Sequence, residues 1–299
     1  MNDRIEMFKS IPNMIAKANE PLSVHSTMRV GGSAEIALFP KTQSALIEAI
    51  DKAFSENIEY RIIGNASNVV FPDDGLDGAV IFTEYLDKID FSDESVTAEC
   101  GVNLIYLSFM CAKRCLSGLE FACGIPASVG GAVCMNAGAY GQCIADVLSE
   151  SKFYLPSENA IKTVASEEHG FSFRKSVFRQ NGAVLLSSSF SLKKIDSANI
   201  ERTVKSNKEK RRFSQPLEYP SAGSAFLPVN GRPAWEYIDA AGLRGYSIGG
   251  AQFSEKHAGF IINRGGATSF DISALVKKAQ NTVFEKFGVN LETEIIFIN

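Results

Sequence analysis

Residues 121–141 read FACGIPASVGGAVCMNAGAYG, and the uncharged run that contains them extends from 121 to 145. A bilayer span needs about 20 predominantly apolar residues in a row. Five glycines, Pro126, Asn136 and Gln142 interrupt this run, so it reads as a loop-rich segment and not as a span. Glycine and other small residues suit a place where backbone must approach a ligand or another backbone closely. Upstream, residues 104–114 have helical character and end before Gly118. Further back a strand, 34–39, leads into a helix capped by Thr42 with Leu46, Ile47, Ile50, Ala53 and Phe54 on its apolar face, then a strand at 60–63. That opening is a βαβ unit. The loop after it, Gly64-Asn65-Ala66-Ser67-Asn68, lacks G-x-G-x-x-G and runs into the β-prone 69–71, so the unit is not Rossmann-like. Asp73-Asp74-Gly75 and Asp77-Gly78 are turn signals.

Downstream, 151–155 and 184–190 are β-prone, and a helix at 198–212 ends in KEKRR. The last helix is the clearest element. Asp271 is in place to cap it, Ile272, Leu275, Val276, Ala279, Val283, Phe284 and Phe287 line one face, and Gly288 stops it before a strand at 294–298. Hairpins are mixed with crossovers, which gives an α+β class.

With 299 residues the chain has room for about two domains. Apolar residues make up 45% and charged residues 21%, ordinary for a globular protein. A net charge of −4 argues against a broad nucleic-acid footprint. The start, MNDRIEMFKSIPNM, has no apolar core of a secretory signal, and no segment reads as a membrane span. All six cysteines lie between 100 and 143 without a C-x-x-C pair, and His25, His169 and His257 are far apart. The expectation is reduced, buried thiols of a cytoplasmic protein and no metal site.

Taken alone, the loops 64–68 and 124–131 fit either tight turns or a cradle whose backbone N–H groups hold a pyrophosphate. A resemblance adds to this. Gly118-Leu119-Glu120-Phe121-Ala122-Cys123-Gly124-Ile125-Pro126, followed by Ser128, Gly130-Gly131-Ala132 and Asn136-Ala137-Gly138-Ala139, closely resembles the UDP-N-acetylenolpyruvoylglucosamine reductase family of muramic acid synthesis. Thr27-x-Arg29-x-Gly31-Gly32, Gly64-Asn65-x-Ser67-Asn68, Arg174-Lys175-Ser176, Gly223-Ser224-x-Phe226, Lys256-His257-Ala258-Gly259-Phe260 and Glu294 match in order. LEYPS at 217–221 is similar to the family's shorter branch. Position 66 is Ala where the family usually has Gly, 127 is Ala where Gly is usual, and Phe173 stands where Tyr commonly precedes the arginine.

The resemblance implies an FAD-binding fold of the vanillyl-alcohol-oxidase type with a C-terminal substrate domain. Its boundaries fall at 1–84, 85–204 and 205–299, and it leaves open that the last strand, 294–299, returns to the first domain. It implies non-covalent FAD held by Arg29, Gly64, Asn65, Ala66, Ser67, Asn68, Gly124, Ile125, Pro126, Ala127, Ser128, Gly130, Gly131, Ala132, Asn136 and Gly138. It also implies NADPH as co-substrate, a UDP-sugar enolpyruvyl ether as substrate, and a monomer. Hydride added at C3 of the enolpyruvyl group puts charge at C2 and into the carboxylate, and an acid must then protonate C2. Arg174 and Glu294 match the family's carboxylate-stabilising positions, and Ser224 matches its proton donor. Alone, the three would read as a surface charge, a strand-edge residue and a turn residue; the ordered resemblance overturns that. Phe173 is taken as a substrate contact. Arg211 or Arg212 either reaches the diphosphate or simply ends a helix. Two other readings remain: a different flavin oxidoreductase of the same fold, and a flavin-binding homologue without catalysis.

Overall fold

The structure is a computed structural model that describes residues 2–179 and 182–299. Two compact units are present. The first comprises Met1–Ala18, Ile36–Asn65 and Gly78–Lys210; the second comprises Asn19–Glu35, Ala66–Asp77 and Arg211–Asn299.

In the first unit, strand Ser33–Pro40, helix Gln43–Ser55 and strand Tyr60–Ile63 form the expected βαβ segment. Thr42 caps the helix, its Oγ1 accepting the Ala45 N–H at 3.1 Å. The buried face is Ala45, Leu46, Ala49, Ile50 and Ala53, while Phe54, expected on it, is 64% exposed. At 100° per residue Phe54 falls roughly 100° from the centre of that stripe, and the alanines do the packing instead. Tyr60–Ile63 does not pair with Ser33–Pro40. It pairs in parallel with Leu76–Phe82, which lies between them in the four-stranded sheet. Asp77-Gly78, a turn signal in the sequence, is therefore inside a strand. Gly78 takes φ +76°, and a Cβ there would meet Glu59 O at 2.2 Å. The glycine marks a kink and a close approach, not a chain reversal.

A second sheet, five-stranded and antiparallel, runs in the order Ala160–Ala165, Leu148–Leu155, Val184–Ser191, Ser95–Glu99 and Ile89–Ser92. Helix Asn2–Lys9, for which the sequence offered no signal, adds the fully buried Phe8 to the core. The Gly-rich segment is not all loop: Val129–Cys134 is a short helix. Each glycine costs a helix about 1 kcal/mol, but Ser128 caps the first turn and Val129, Ala132 and Val133 are buried. Packing outweighs propensity here.

The second unit is built on an antiparallel sheet in the order Ser221–Ser224, Phe260–Asn263, Ala251–Phe253 and Ser247–Ile248. Helix Ser269–Phe287 packs its Ile272, Leu275, Val276, Ala279 and Val283 into the core and ends at Gly288, φ +67°. Phe284 and Phe287, expected on that face, are exposed. The cap is Thr268, with Asp271 at the third helical position completing a capping box, so Asp271 is one element of the cap and not the cap itself. Asp73 caps the same helix from a distance, its carboxylate accepting the Ser269 and Phe270 N–H groups at 2.8 and 3.1 Å. Strand Val69–Val70 pairs in parallel with Ile296–Phe297. Those two contacts explain why 66–77 belongs with the C-terminal residues. The contact units thus draw lines other than the domain boundaries at 84 and 204.

Candidate active site

Gly64 and Asn65, at the start of the first loop, meet the second loop within the first unit, while 66–68 belong to the second unit. A Cβ on Gly64 would sit 2.1 Å from Ser128 Oγ, so a larger residue there would displace the hydroxyl that caps the Gly131 N–H. Asn65 Nδ2 donates to Pro126 O at 2.6 Å. Their backbone donors differ. Along helix Val129–Cys134 the amides of Val129, Gly130, Gly131 and Ala132 donate to Val102 O, Cys100 O, Ser128 Oγ and Ser128 O at 2.8, 2.8, 3.2 and 2.8 Å. Those of Asn65, Ala66, Ser67 and Asn68 donate to no acceptor among the described residues. These amides lie on a loop that is exposed at Asn65 and half-buried at Ser67 and Asn68, and a run of open donors is the set a diphosphate fits. The loop 64–68 offers such a run, whereas the amides of Val129 to Ala132 are already engaged.

Ala66 is buried and has φ +42°. A left-handed backbone costs a non-glycine residue about 1–2 kcal/mol, and burial of one methyl returns about 0.8 kcal/mol. The departure from glycine at 66 thus carries real strain. Ala127 takes no left-handed backbone and packs onto the core. Arg29 is exposed with φ +58°. Gly138 belongs to a small hairpin with Gln142–Cys143, where a Cβ would meet Gln142 O at 2.5 Å. Asn136 is buried and its amide is engaged at both ends, Nδ2 donating to Ser172 O at 3.2 Å and Oδ1 accepting from Ala145 N at 3.0 Å.

Arg174 also lies in the first unit, at the second corner of a two-residue turn. Ser172 and Lys175 exchange backbone hydrogen bonds of 3.2 Å across it. Arg174 has φ +59°, a conformation that turns usually fill with Gly or Asn. Its guanidinium stands 4.6 Å from the centre of the exposed Phe173 ring, a cation–π contact.

Ser224 and Glu294 lie in the second unit and are brought together there. Between Ser221 and Ser224 the strand slips register against Phe260–Asn263: three steps on one side face two on the other. Gly223 at φ +79° supplies the bulge, a device that re-aims a side chain beside a site. Ala225, next to Ser224, donates to Gly259 O at 2.8 Å and accepts from Glu294 N at 2.9 Å. Asn68 Nδ2 donates to Glu294 O at 3.0 Å. The Ser224 hydroxyl is half-buried and makes no hydrogen bond among the described residues. Thr27 Oγ1 donates to Ser221 O at 2.8 Å, tying the 27–32 motif to the same strand. Arg211 and Arg212 end helix Ser197–Ser214, where Lys256 Nζ takes the Arg212 carbonyl at 2.6 Å.

The three histidines are each engaged within the protein. His257 Nδ1 accepts from Gly259 N at 3.1 Å, with Trp235 and Phe260 edge-on to its ring. His25 bonds Glu20 at 2.9 Å. His169 is fully buried, its Nδ1 2.8 Å from Ala165 O and its Nε2 2.9 Å from Ser151 Oγ, which in turn lies 2.8 Å from Ser188 Oγ. A carbonyl only accepts, so Nδ1 carries the proton, Ser151 donates to Nε2, and Ser188 donates to Ser151. Burial pushes the imidazole below its ordinary pKa. The unfolded chain therefore takes up a proton first, and this histidine costs stability as pH falls below about 6.5. We expect wild-type stability in urea to drop between pH 7.5 and 5.5 more steeply than that of His169→Gln. The difference should be at most about 1.4 kcal/mol per pH unit, and equal slopes would exclude the assignment.

No helix among the described residues is long and apolar enough to cross a membrane. Residues 215–298 match the family profile described as UDP-N-acetylenolpyruvoylglucosamine reductase, C-terminal domain, and 34–163 match the FAD binding domain. The chain is 43% identical over 282 residues to the UDP-N-acetylenolpyruvoylglucosamine reductase of Latilactobacillus sakei subsp. sakei, covering 94% of this chain and 93% of that one. To that of Streptococcus pneumoniae it is 39% identical over 295 residues, 99% and 98% of the two chains. The crystal structure of UDP-N-acetylenolpyruvylglucosamine reductase from Thermus caldophilus has a TM-score of 0.82 at 31% identity, over 96% of this chain and 99% of that one. A BBE-like protein of Physcomitrella patens shares the fold alone, with a TM-score of 0.51 and 11% identity over 64% of this chain and 44% of that one. The fold is the α+β FAD-binding fold of the vanillyl-alcohol-oxidase type.

Proposed function

The chain belongs to the UDP-N-acetylenolpyruvoylglucosamine reductase family, and on that premise we propose how its own residues serve the reaction. It reduces the enolpyruvyl ether of UDP-N-acetylglucosamine to UDP-N-acetylmuramate with NADPH and FAD, in peptidoglycan precursor synthesis. The reaction takes place in the cytoplasm, on a monomer. FAD, held without a covalent link by the loop at 64–68, would supply the hydride chemistry that links NADPH to the enolpyruvyl group.

The observation that carries the cofactor assignment is the run of open amides at 65–68, which holds the pyrophosphate. Arg174 binds the substrate carboxylate through its planar fork and stabilises the charge that spreads into it from C2. Glu294, held next to Ser224 through the Ala225 carbonyl, serves the same developing charge on the substrate. Ser224, aimed by the bulge at Gly223, gives the proton to C2. Arg211 and Arg212, at their helix end, serve the diphosphate. Phe173, stacked under the Arg174 guanidinium, holds the fork in place and forms part of the substrate surface.

The test is anaerobic. Purified yellow protein should bleach with one equivalent of NADPH and recover its colour on adding the enolpyruvyl UDP-sugar, with UDP-N-acetylmuramate as product. Colour that returns only with oxygen would assign the chain to a different flavin oxidoreductase, and protein that NADPH never bleaches would make it a binding homologue.

A further inference from the structure

We propose that Asn136 and Ser176 are positioning residues that hold Arg174 in its working orientation by tying both flanks of its turn to the end of the Gly-rich helix. The proposal rests on the reading of Arg174 as the substrate's carboxylate ligand. Ser172, two residues before Arg174, gives its carbonyl to Asn136 Nδ2 at 3.2 Å. Ser176, two residues after, donates its hydroxyl to Cys134 O at 2.9 Å. Both anchors are buried, and Asn136 is itself fixed from behind by Ala145 N at 3.0 Å.

The turn needs such anchors. Arg174 sits at φ +59°, which costs an arginine about 1–2 kcal/mol. Strain of that kind persists only where the surroundings over-determine the conformation. Within the turn, the paired Ser172 and Lys175 backbone bonds of 3.2 Å oppose relaxation. Phe173 is exposed and contributes no core packing. The hydrogen bonds from 134 and 136 add a buried tie on each flank of this strained turn. They come from the last residue of helix Val129–Cys134 and from Asn136 just after it, so the mount is built on the Gly-rich segment itself. Relaxation of Arg174 toward a right-handed backbone would swing the guanidinium away from its target without removing it.

Ser176→Ala removes one hydroxyl from a buried site and leaves the rest of the side chain. Loss of a single buried hydrogen bond is worth about 0.5–1.5 kcal/mol. Reoxidation of the NADPH-reduced protein by the enolpyruvyl UDP-sugar should therefore slow roughly three- to tenfold. The change should appear in the limiting rate more than in the substrate concentration at half-saturation. The visible spectrum and the rate of reduction by NADPH should be those of wild type. Asn136→Ala should slow the same step, giving a second variant should the first fold poorly.

The discriminating measurement repeats Ser176→Ala in an Arg174→Ala background. A residue that acts through Arg174 should there cost less than twofold. An equal loss in both backgrounds, or wild-type reoxidation in Ser176→Ala and Asn136→Ala, would overturn the proposal. Should Arg174→Ala alone reoxidise normally, the carboxylate reading fails and the proposal with it, a result distinct from failure of the anchors alone.

Discussion

Arg174→Lys should slow reoxidation of the reduced protein by the enolpyruvyl UDP-sugar by about two orders of magnitude, while FAD content and reduction by NADPH stay close to wild type. Lysine keeps the charge and meets the same backbone demand at φ +59°, so the comparison isolates the shape of the head group. An ammonium is a point donor, whereas a guanidinium fork can bind both oxygens of a carboxylate; that of Arg174 stands 4.6 Å from the centre of the Phe173 ring. Losing one strong donor to a developing oxyanion costs about 2.7–4 kcal/mol, a factor of about 10² to 10³. Because that charge exists only after hydride reaches C3, the loss should fall on the oxidative half-reaction. Stopped-flow absorbance separates the halves. Normal reoxidation by substrate in Arg174→Lys would remove Arg174 from the role.

Elements with local signals were legible in the sequence. Thr42 as a cap, the Ile272-to-Val283 stripe, Gly288 as a stop and the strand at 60–63 all depend on residues within one or two turns of each other. The failures have a common physical source. Gly78 looks like a turn until Glu59 O is found 2.2 Å from where its Cβ would lie. The glycines at 130 and 131 look like a loop until Val129, Ala132 and Val133 find a core. Phe54, Phe284 and Phe287 extend a periodic stripe in the sequence, but their helices bury a narrower face. In each case a partner remote in sequence decides.

The candidate site divides the same way. The residue types at 64–68 were visible, but which loop keeps its amides open was not. That depends on Val102, Cys100 and Ser128 satisfying the other one. The strain at Ala66 could be posed as a question from sequence and needed the backbone angle, φ +42°, for its answer. Ser176 and Gly223 stood in matched motifs, but what each does was not legible, since one acts through Cys134 O and the other through register against Phe260–Asn263.

The register slip bears most directly on Ser224. Removing its hydroxyl with Ser224→Ala should leave FAD binding and NADPH reduction nearly intact, because neither step requires a proton at C2. Turnover should fall by the roughly 10² to 10⁴ that a positioned general acid contributes. A serine hydroxyl is a weak acid, but the carbanion at C2 is a stronger base than an alkoxide, so the transfer runs downhill once hydride has arrived. The hydroxyl makes no hydrogen bond among the described residues and is half-buried, which leaves its proton free for the substrate. Ser224→Cys should recover part of the activity, the thiol being the stronger acid and the sulfur the poorer fit. A single turnover in heavy water gives the sharpest reading. With protonation slowed in Ser224→Ala, reversal of hydride transfer should place solvent deuterium at C3 of recovered substrate, at a level absent from wild type. A Ser224→Ala enzyme that turns over at the wild-type rate would make Ser224 a strand residue only. Glu294, whose N–H is held 2.9 Å from the Ala225 carbonyl, would then be the next group to test as the acid, through Glu294→Gln.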